Sequence, residues 1–369
     1  MICLRPIRET GLRFDHIVGT GGIGSGIFFS MSGNHTLGRN ESRMATLLPY
    51  KDFCKLHIIM HYVAVLLGAK VDGDFQSFPI GNVGNDDIGK NLVRQMKEVG
   101  MDTKNIGITD NLSTLFSVCF QYSDHTGGNI TTENSSSSRV SPENISFFFQ
   151  EFKLSGMKEI ILAAPEVPLN SRIKLLEYGR QRGSFNAASI LSSEVEEFRK
   201  LRGFELVDIL SVNIDEARSI AQMTNESISV DAVIEICIQK LVHFNPAISI
   251  LITDGSNGSY CFTEDHLEHT PVPDIPVVST AGAGDAFLAG TLAGFCCGLP
   301  LIKGKSDLLF SGSPLQSAVE LGTLLASLSV TSRDTIHPDA NTDLLYRFAI
   351  VNNISFSNDF LKLFTDCAQ

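Results

Sequence analysis

Residues 277–295 read "VVSTAGAGDAFLAGTLAGF", and the reading of the fold turns on this stretch. Five small residues, Ala281, Gly282, Ala283, Gly284 and Ala286, surround one carboxylate, Asp285. An apolar pair precedes them and an apolar, helix-like run follows. A tight turn opening into a helix leaves its first N–H groups without partners. With no side chains in the way, a phosphate can approach that helix end, where the dipole also favours negative charge. An Asp on the same turn would repel the anion, so it needs a task of its own. Accepting the proton of an attacking hydroxyl during phosphoryl transfer is such a task. The plainer alternative makes Asp285 an N-cap and the glycines a device for close packing.

Working outward, segments from about residue 155 alternate between strand-like and helix-like. "EIILAA", "SFNAAS", "LVDILSVN" and "AISILITDG" read as buried strands. "NSRIKLLEYGRQRG", "IDEARSIAQM" and "VDAVIEICIQKLVHF" read as helices, and "GSYCFTE" with "LEHTPV" as a hairpin. Such alternation predicts βαβ units and a mostly parallel sheet. The first third differs: "FDHIVG", "SGIFFSM" and "TLFSVCFQYSD" are rich in β-branched and aromatic residues. They predict a small β-flap from roughly residues 23–50 and 112–135 on one domain spanning residues 1–369.

Of the 369 residues, 43% are hydrophobic and 19% charged, enough for a core of ordinary size. Net charge is −12, which argues against a nucleic-acid or anionic-membrane partner but leaves room for a small anion held by backbone N–H groups. The eight Cys residues show no C-x-x-C spacing and read as reduced core thiols of a cytoplasmic protein. "LHIIMHYVAVLLGA" carries two His and is too short to span a bilayer.

"STAGAGDAFLAG" resembles the C-terminal signature of the ribokinase/PfkB family of carbohydrate kinases. "FPIGNVGNDDIGKNLVRQMKEVGMDT" is similar to the family's second Gly-rich segment, with Gly81, Gly84, Asp86 and Gly89 in register. "APEVPL", "NAA" (186–188), "VNIDEA" (212–217) and "LITDGSNGSY" (251–260) follow in the family's order. The likeness runs over roughly residues 14 to 345. It implies a ribokinase-like three-layer α/β sandwich, ATP and Mg2+, a small-molecule alcohol as acceptor, and a homodimer formed through the flap. It makes Asp285 the base, with Gly282, Ala283 and Gly284 around the transferring phosphoryl group. Thr253, Asp254, Gly255 and Gly258 would line the nucleotide. Asn213 and Glu216, three apart at a helix start, would organise magnesium together with Glu166; the same pair also fits a capping box.

The likeness breaks at the acceptor. The family commonly carries an Asp soon after its first strand, and here the region reads "GGIGSGIFF". Family positions for Gly-Gly and Asn fall on Cys54, Lys55 and Ile59. Nearby stand Asn34, His35, Arg39, Glu41, Arg43, Lys55, His57 and His61. Of these, Asn34, Arg43, Lys55 and His57, with Gly81 and Asn82, form the expected acceptor set. The Arg and Lys residues suit a partner with an anionic group. His57 and His61, at i and i+4, could present two metal ligands or be core residues. Two other functions stay open: a non-catalytic relative that binds a nucleotide, and an NAD-dependent oxidoreductase. The second rests on Gly19, Gly21 and Gly24 in "HIVGTGGIGSG", with Glu41 about twenty residues on. That fingerprint requires a helix next, and "SGIFFSMSGNHTLG" has no helical period.

Overall fold

The computed structural model describes residues 2–33, 35–123, 127–152, 158–223, 225, 227–303 and 313–367. In chain order the strands are β1 (His16–Thr20), β2 (Gly24–Met31), β3 (Ala45–Phe53), β4 (Gln76–Gly84), β5 (Ile106–Thr109), β6 (Leu115–Gln121), β7 (Gly127–Thr131), β8 (Glu159–Ala163), β9 (Phe185–Ser189), β10 (Ile209–Asn213), β11 (Ser249–Thr253), β12 (Ser259–Thr263) and β13 (His266–Thr270). The helices are α1 (Lys55–Leu67), α2 (Asp87–Glu98), α3 (Pro142–Glu151), α4 (Leu169–Arg182), α5 (Val195–Lys200), α6 (Ile214–Ala221), α7 (Val230–Phe244), α8 (Ala283–Cys296), α9 (Ala318–Ser329), α10 (Thr342–Val351) and α11 (Asn358–Lys362).

Nine strands make one sheet in the order β13-β12-β11-β10-β9-β8-β1-β4-β5. Pairings from β5 to β11 are parallel, and the terminal hairpin β12–β13 is antiparallel. Alternate residues of the same strand feed different cores, as a period of two requires. Ile160 and Leu162 join one apolar cluster with α1, α8 and α9, while Ile161 and Ala163 join another with α4, α6 and α7. The result is an α/β sandwich of three layers with a mostly parallel central sheet.

The four remaining strands form a second sheet, β3-β2-β6-β7, covering residues 24–31, 45–53, 115–121 and 127–131. Its geometry overturns the dinucleotide reading. Gly24 opens β2, a strand paired with β3 and β6, so no helix N-terminus follows the glycines to receive a pyrophosphate. Gly19 serves packing instead: a Cβ there would lie 2.7 Å from Met60 Sδ and 2.9 Å from Leu56 Cδ1, so α1 can settle directly on β1. No helix among the described residues is long and apolar enough to cross a membrane.

Candidate active site

The turn 281–284 delivers Asp285 to the first turn of α8. Gly282 is the residue that makes the turn possible. Its φ is +78°, and a Cβ would meet the Thr335 carbonyl at 2.7 Å, so a side chain is opposed by both backbone strain and contact. Ala286 N–H donates to the Gly282 carbonyl at 2.9 Å, so the N–H groups of Gly284 and Asp285 precede that bond at the open end of the helix. Ala283 N–H folds back onto the Thr280 carbonyl at 3.2 Å, and an anion would have to share it. Above Gly284 the space is open: an added Cβ would find only Thr253 Oγ1, at 3.8 Å. Thr253 ends β11, and the turn Asp254–Gly258 comes next, with the Asp254 carboxylate accepting from Asn257 Nδ2 at 2.9 Å. Bare backbone at a helix N-terminus beside this second open turn fits a polyphosphate.

Lys55, the first residue of α1, binds the acidic cluster together. Its Nζ is 3.9 Å from Asp285 Oδ1 and 4.0 Å from Glu216 Oε1. Its backbone N–H donates to Glu166 Oε2 at 3.3 Å. Glu166 adopts φ +76°, a conformation uncommon for a residue with a Cβ and concentrated at functional sites. Its carboxylate lies against Gly22, where a Cβ would come within 2.5 Å of it. Asn213 caps α6: its side chain accepts from Glu216 N–H, and Glu216 Oε2 accepts from Asn213 N–H, both at 2.8 Å. Cap and ligand are therefore compatible roles. One Glu216 oxygen closes the capping box while the other faces Lys55 Nζ at 4.0 Å. Carboxylates held this sparsely suit a magnesium ion that keeps most of its waters.

Burial raises the Asp285 carboxyl, and the Lys55 ammonium opposes that rise. Burial likewise raises Glu216, again against Lys55. Glu166 is pushed up to about 7, mainly by burial. Three carboxyls thus gather around one cation.

Asp285, Glu166, Lys55 and Gly282 border a cavity of about 370 Å³ that also takes in Tyr50, Asp52, Phe53, Cys119, Gly127 and Gly128 from the flap. Among the expected acceptor residues, Lys55 lines it. His57 does not: it faces the other side of α1 into a separate cavity with His61, Phe53 and Arg347, because residues two apart on a helix point in different directions. Arg43 is committed within the flap, donating to Glu41 Oε1 at 2.6 and 2.8 Å and to the His35 carbonyl at 2.8 Å. Gly81 packs on Ile23, and the Asn82 carbonyl accepts from Ser136 Oγ at 3.4 Å, both away from this cavity. Asn34 lies outside the described residues. The metal alternative for His57 and His61 finds no third ligand: no group of three or more His, Cys, Asp or Glu set to hold a metal occurs among the described residues. No motif marks Asp52 in the sequence, because its place in the cavity depends on the course of β3.

The chain matches the pfkB family carbohydrate kinase profile over residues 61–342. It is 27% identical to "Probable fructokinase-7" of Arabidopsis thaliana over 146 residues, 38% of this chain and 39% of that one. It is 25% identical to 1-phosphofructokinase of Bacillus subtilis over 201 residues, 53% of this chain and 63% of the relative. Both matches thus span less than two thirds of the relative. Among solved structures, a ribokinase from Cryptococcus neoformans var. grubii serotype A in complex with ADP superposes with a TM-score of 0.70 at 18% identity, covering 90% of this chain and 99% of the other.

Proposed function

The chain belongs to the pfkB family of carbohydrate kinases, and from that premise we propose that it transfers the γ-phosphoryl group of ATP to an alcohol of a small sugar, polyol or nucleoside-like acceptor. The observation that carries this is Asp285, a carboxylate whose proton affinity burial raises, set in the first turn of α8 on the wall of a cavity that the flap also lines. A purely nucleotide-binding relative would gain nothing from a carboxylate beside a phosphate.

In this reading the acceptor hydroxyl lies against Asp285, which takes its proton as the oxygen attacks phosphorus. The N–H groups of Gly284 and Asp285, with the dipole of α8, stabilise the charge that builds on the phosphoryl oxygens. Lys55 offsets part of the repulsion between the clustered carboxylates and the phosphate. Thr253 to Gly258 hold the nucleotide. Asn213, Glu216 and Glu166 would hold hydrated magnesium, which would neutralise phosphate charge when bound. The flap sheet closes over the acceptor and keeps water out, limiting loss of ATP to hydrolysis. The protein works in the cytoplasm in this reading, and two copies pair through their flaps.

The test is ADP release from ATP–Mg2+ on a panel of uncharged sugars and polyols, run with wild type and Asp285→Asn. Wild type turns over at least one acceptor, and the Asn variant retains nucleotide affinity while kcat falls about a hundredfold or more. Comparable kcat in the two proteins would remove Asp285 from the base role.

A further inference from the structure

The acid expected after β1 is missing, yet the acceptor cavity contains another. β2 and β3 change register where the flap meets the large sheet. Gly26 pairs with Asp52 and Phe28 with Leu48, so two steps along β2 face four along β3. The surplus on β3, residues 49–51, forms a bulge, a device that re-aims side chains beside active sites. Asp52 lies just past the bulge and lines the same cavity as Asp285, Glu166 and Lys55. Gly26 opposite it leaves the carboxylate room, since a Cβ would lie 2.7 Å from Asp52 Oδ2.

Asp52 has weak company for a buried acid. Its Oδ2 accepts from Cys119 Sγ at 3.3 Å, and the neighbouring Phe53 N–H donates to Thr335 Oγ1 at 3.0 Å. Lys55, the one basic residue on the cavity wall among the described residues, is engaged with Asp285 and Glu216. Burial and the charge of Asp285 push Asp52 up to about 6, so near neutral pH it is a carboxylate with unfilled acceptor capacity. The wall carries three carboxyls, Asp52, Glu166 and Asp285, against one ammonium, which disfavours an anionic acceptor. Phe28, Tyr50 and Phe120 add apolar faces suited to the C–H side of a sugar ring or polyol.

We propose that Asp52 is the acceptor-binding carboxylate, and that the acceptor is an uncharged polyhydroxy compound whose adjacent hydroxyls both donate to it. This rests on the kinase reading of the same cavity and supplies from the flap what the first strand lacks.

The test measures kcat, KM and direct binding for ribose, fructose, ribitol, myo-inositol and fructose 6-phosphate in wild type, Asp52→Asn and Asp285→Asn, with binding followed by saturation-transfer NMR. At least one uncharged compound binds wild type and outperforms fructose 6-phosphate. Asp52→Asn raises its KM about tenfold or more, and lowers kcat by less, because the amide offers one acceptor where the carboxylate offers two. The KM of wild type rises below about pH 6, as Asp52 takes a proton. Asp285, Glu166, Lys55 and Cys119 face the same space but remain in the Asn variant, whose KM lacks that limb. Equal binding by wild type and Asp52→Asn, binding of no uncharged compound, or a preference for fructose 6-phosphate would each overturn the proposal. Binding lost in Asp52→Asn alongside unimpaired turnover by Asp285→Asn would instead uphold Asp52 and defeat the assignment of the base.

Discussion

Lys55 does more at this site than its position in the sequence announces. Sequence reasoning puts it against the acceptor, and it lines that cavity. Its ammonium also reaches Asp285 at 3.9 Å and Glu216 at 4.0 Å, and its side chain is only 27% exposed. Removing it tests the electrostatics in a signed way. Burial raises the Asp285 carboxyl and Lys55 lowers it, so Lys55→Met raises the proton affinity of Asp285 further. A base that must be unprotonated then needs a higher pH. The acid limb of kcat/KM therefore moves up in pH in Lys55→Met, on top of a lower plateau, as a pH–rate profile would show. An unmoved limb would mean that the base titrates independently of Lys55. Asp285 was legible because bare backbone on both sides of an acid is unusual chemistry. Asp52 was not, because only a register change between two strands brings it to the cavity, and a bulge leaves little mark on composition.

At the level of the element, α1 shows how one helix serves two surfaces. Lys55 opens it at the active site, while His57 and His61 face a different cavity. The sequence allowed either a metal pair or a core pair, and burial decides for the core. His57 is fully buried, neither of its ring nitrogens has a partner among the described residues, and burial lowers it to about 3 and His61 to about 4. A neutral ring with two unmet hydrogen-bonding atoms is costly in a core. His57→Leu therefore raises the melting temperature by about one to a few degrees and leaves kcat/KM within about twofold of wild type. A large loss of activity in a folded His57→Leu protein would return His57 to the acceptor site. The arginine expectation fails for a related reason. Glu41, held down to about 2 by the Gly38 N–H first and then by Arg43, keeps that guanidinium inside the flap. A continuous apolar run such as β8 and a longer mixed run closed by Gly183 such as α4 were readable directly. The partners of polar side chains were not, since they depend on contacts between segments distant in sequence.

For the molecule as a whole, the decision between nucleotide chemistries comes from the segment after β1. "GTGGIGSG" satisfies a dinucleotide fingerprint by spacing alone, and the ordered series of later segments was the stronger guide because it constrains the chain from end to end. The fold makes the choice physical. Gly24 leads into a strand whose polar groups are engaged with β3 and β6, whereas α8 presents its N-terminus beside the open turn after β11. Of the two places, the second offers converging backbone N–H groups to a polyphosphate. A ligand bound by the folded state alone, at a hundred times its Kd, stabilises that state by about 2.7 kcal/mol. For a chain of this size that is a rise of several degrees in melting temperature. Millimolar ATP with Mg2+ therefore shifts the thermal transition upward by several degrees, and the shift shrinks when Mg2+ is chelated. NAD at the same concentration produces no comparable shift, because a strand stands where its pyrophosphate requires a helix. Equal stabilisation by the two nucleotides would mean that the open turns at β11 and α8 do not select a triphosphate, and would remove the basis for placing ATP there.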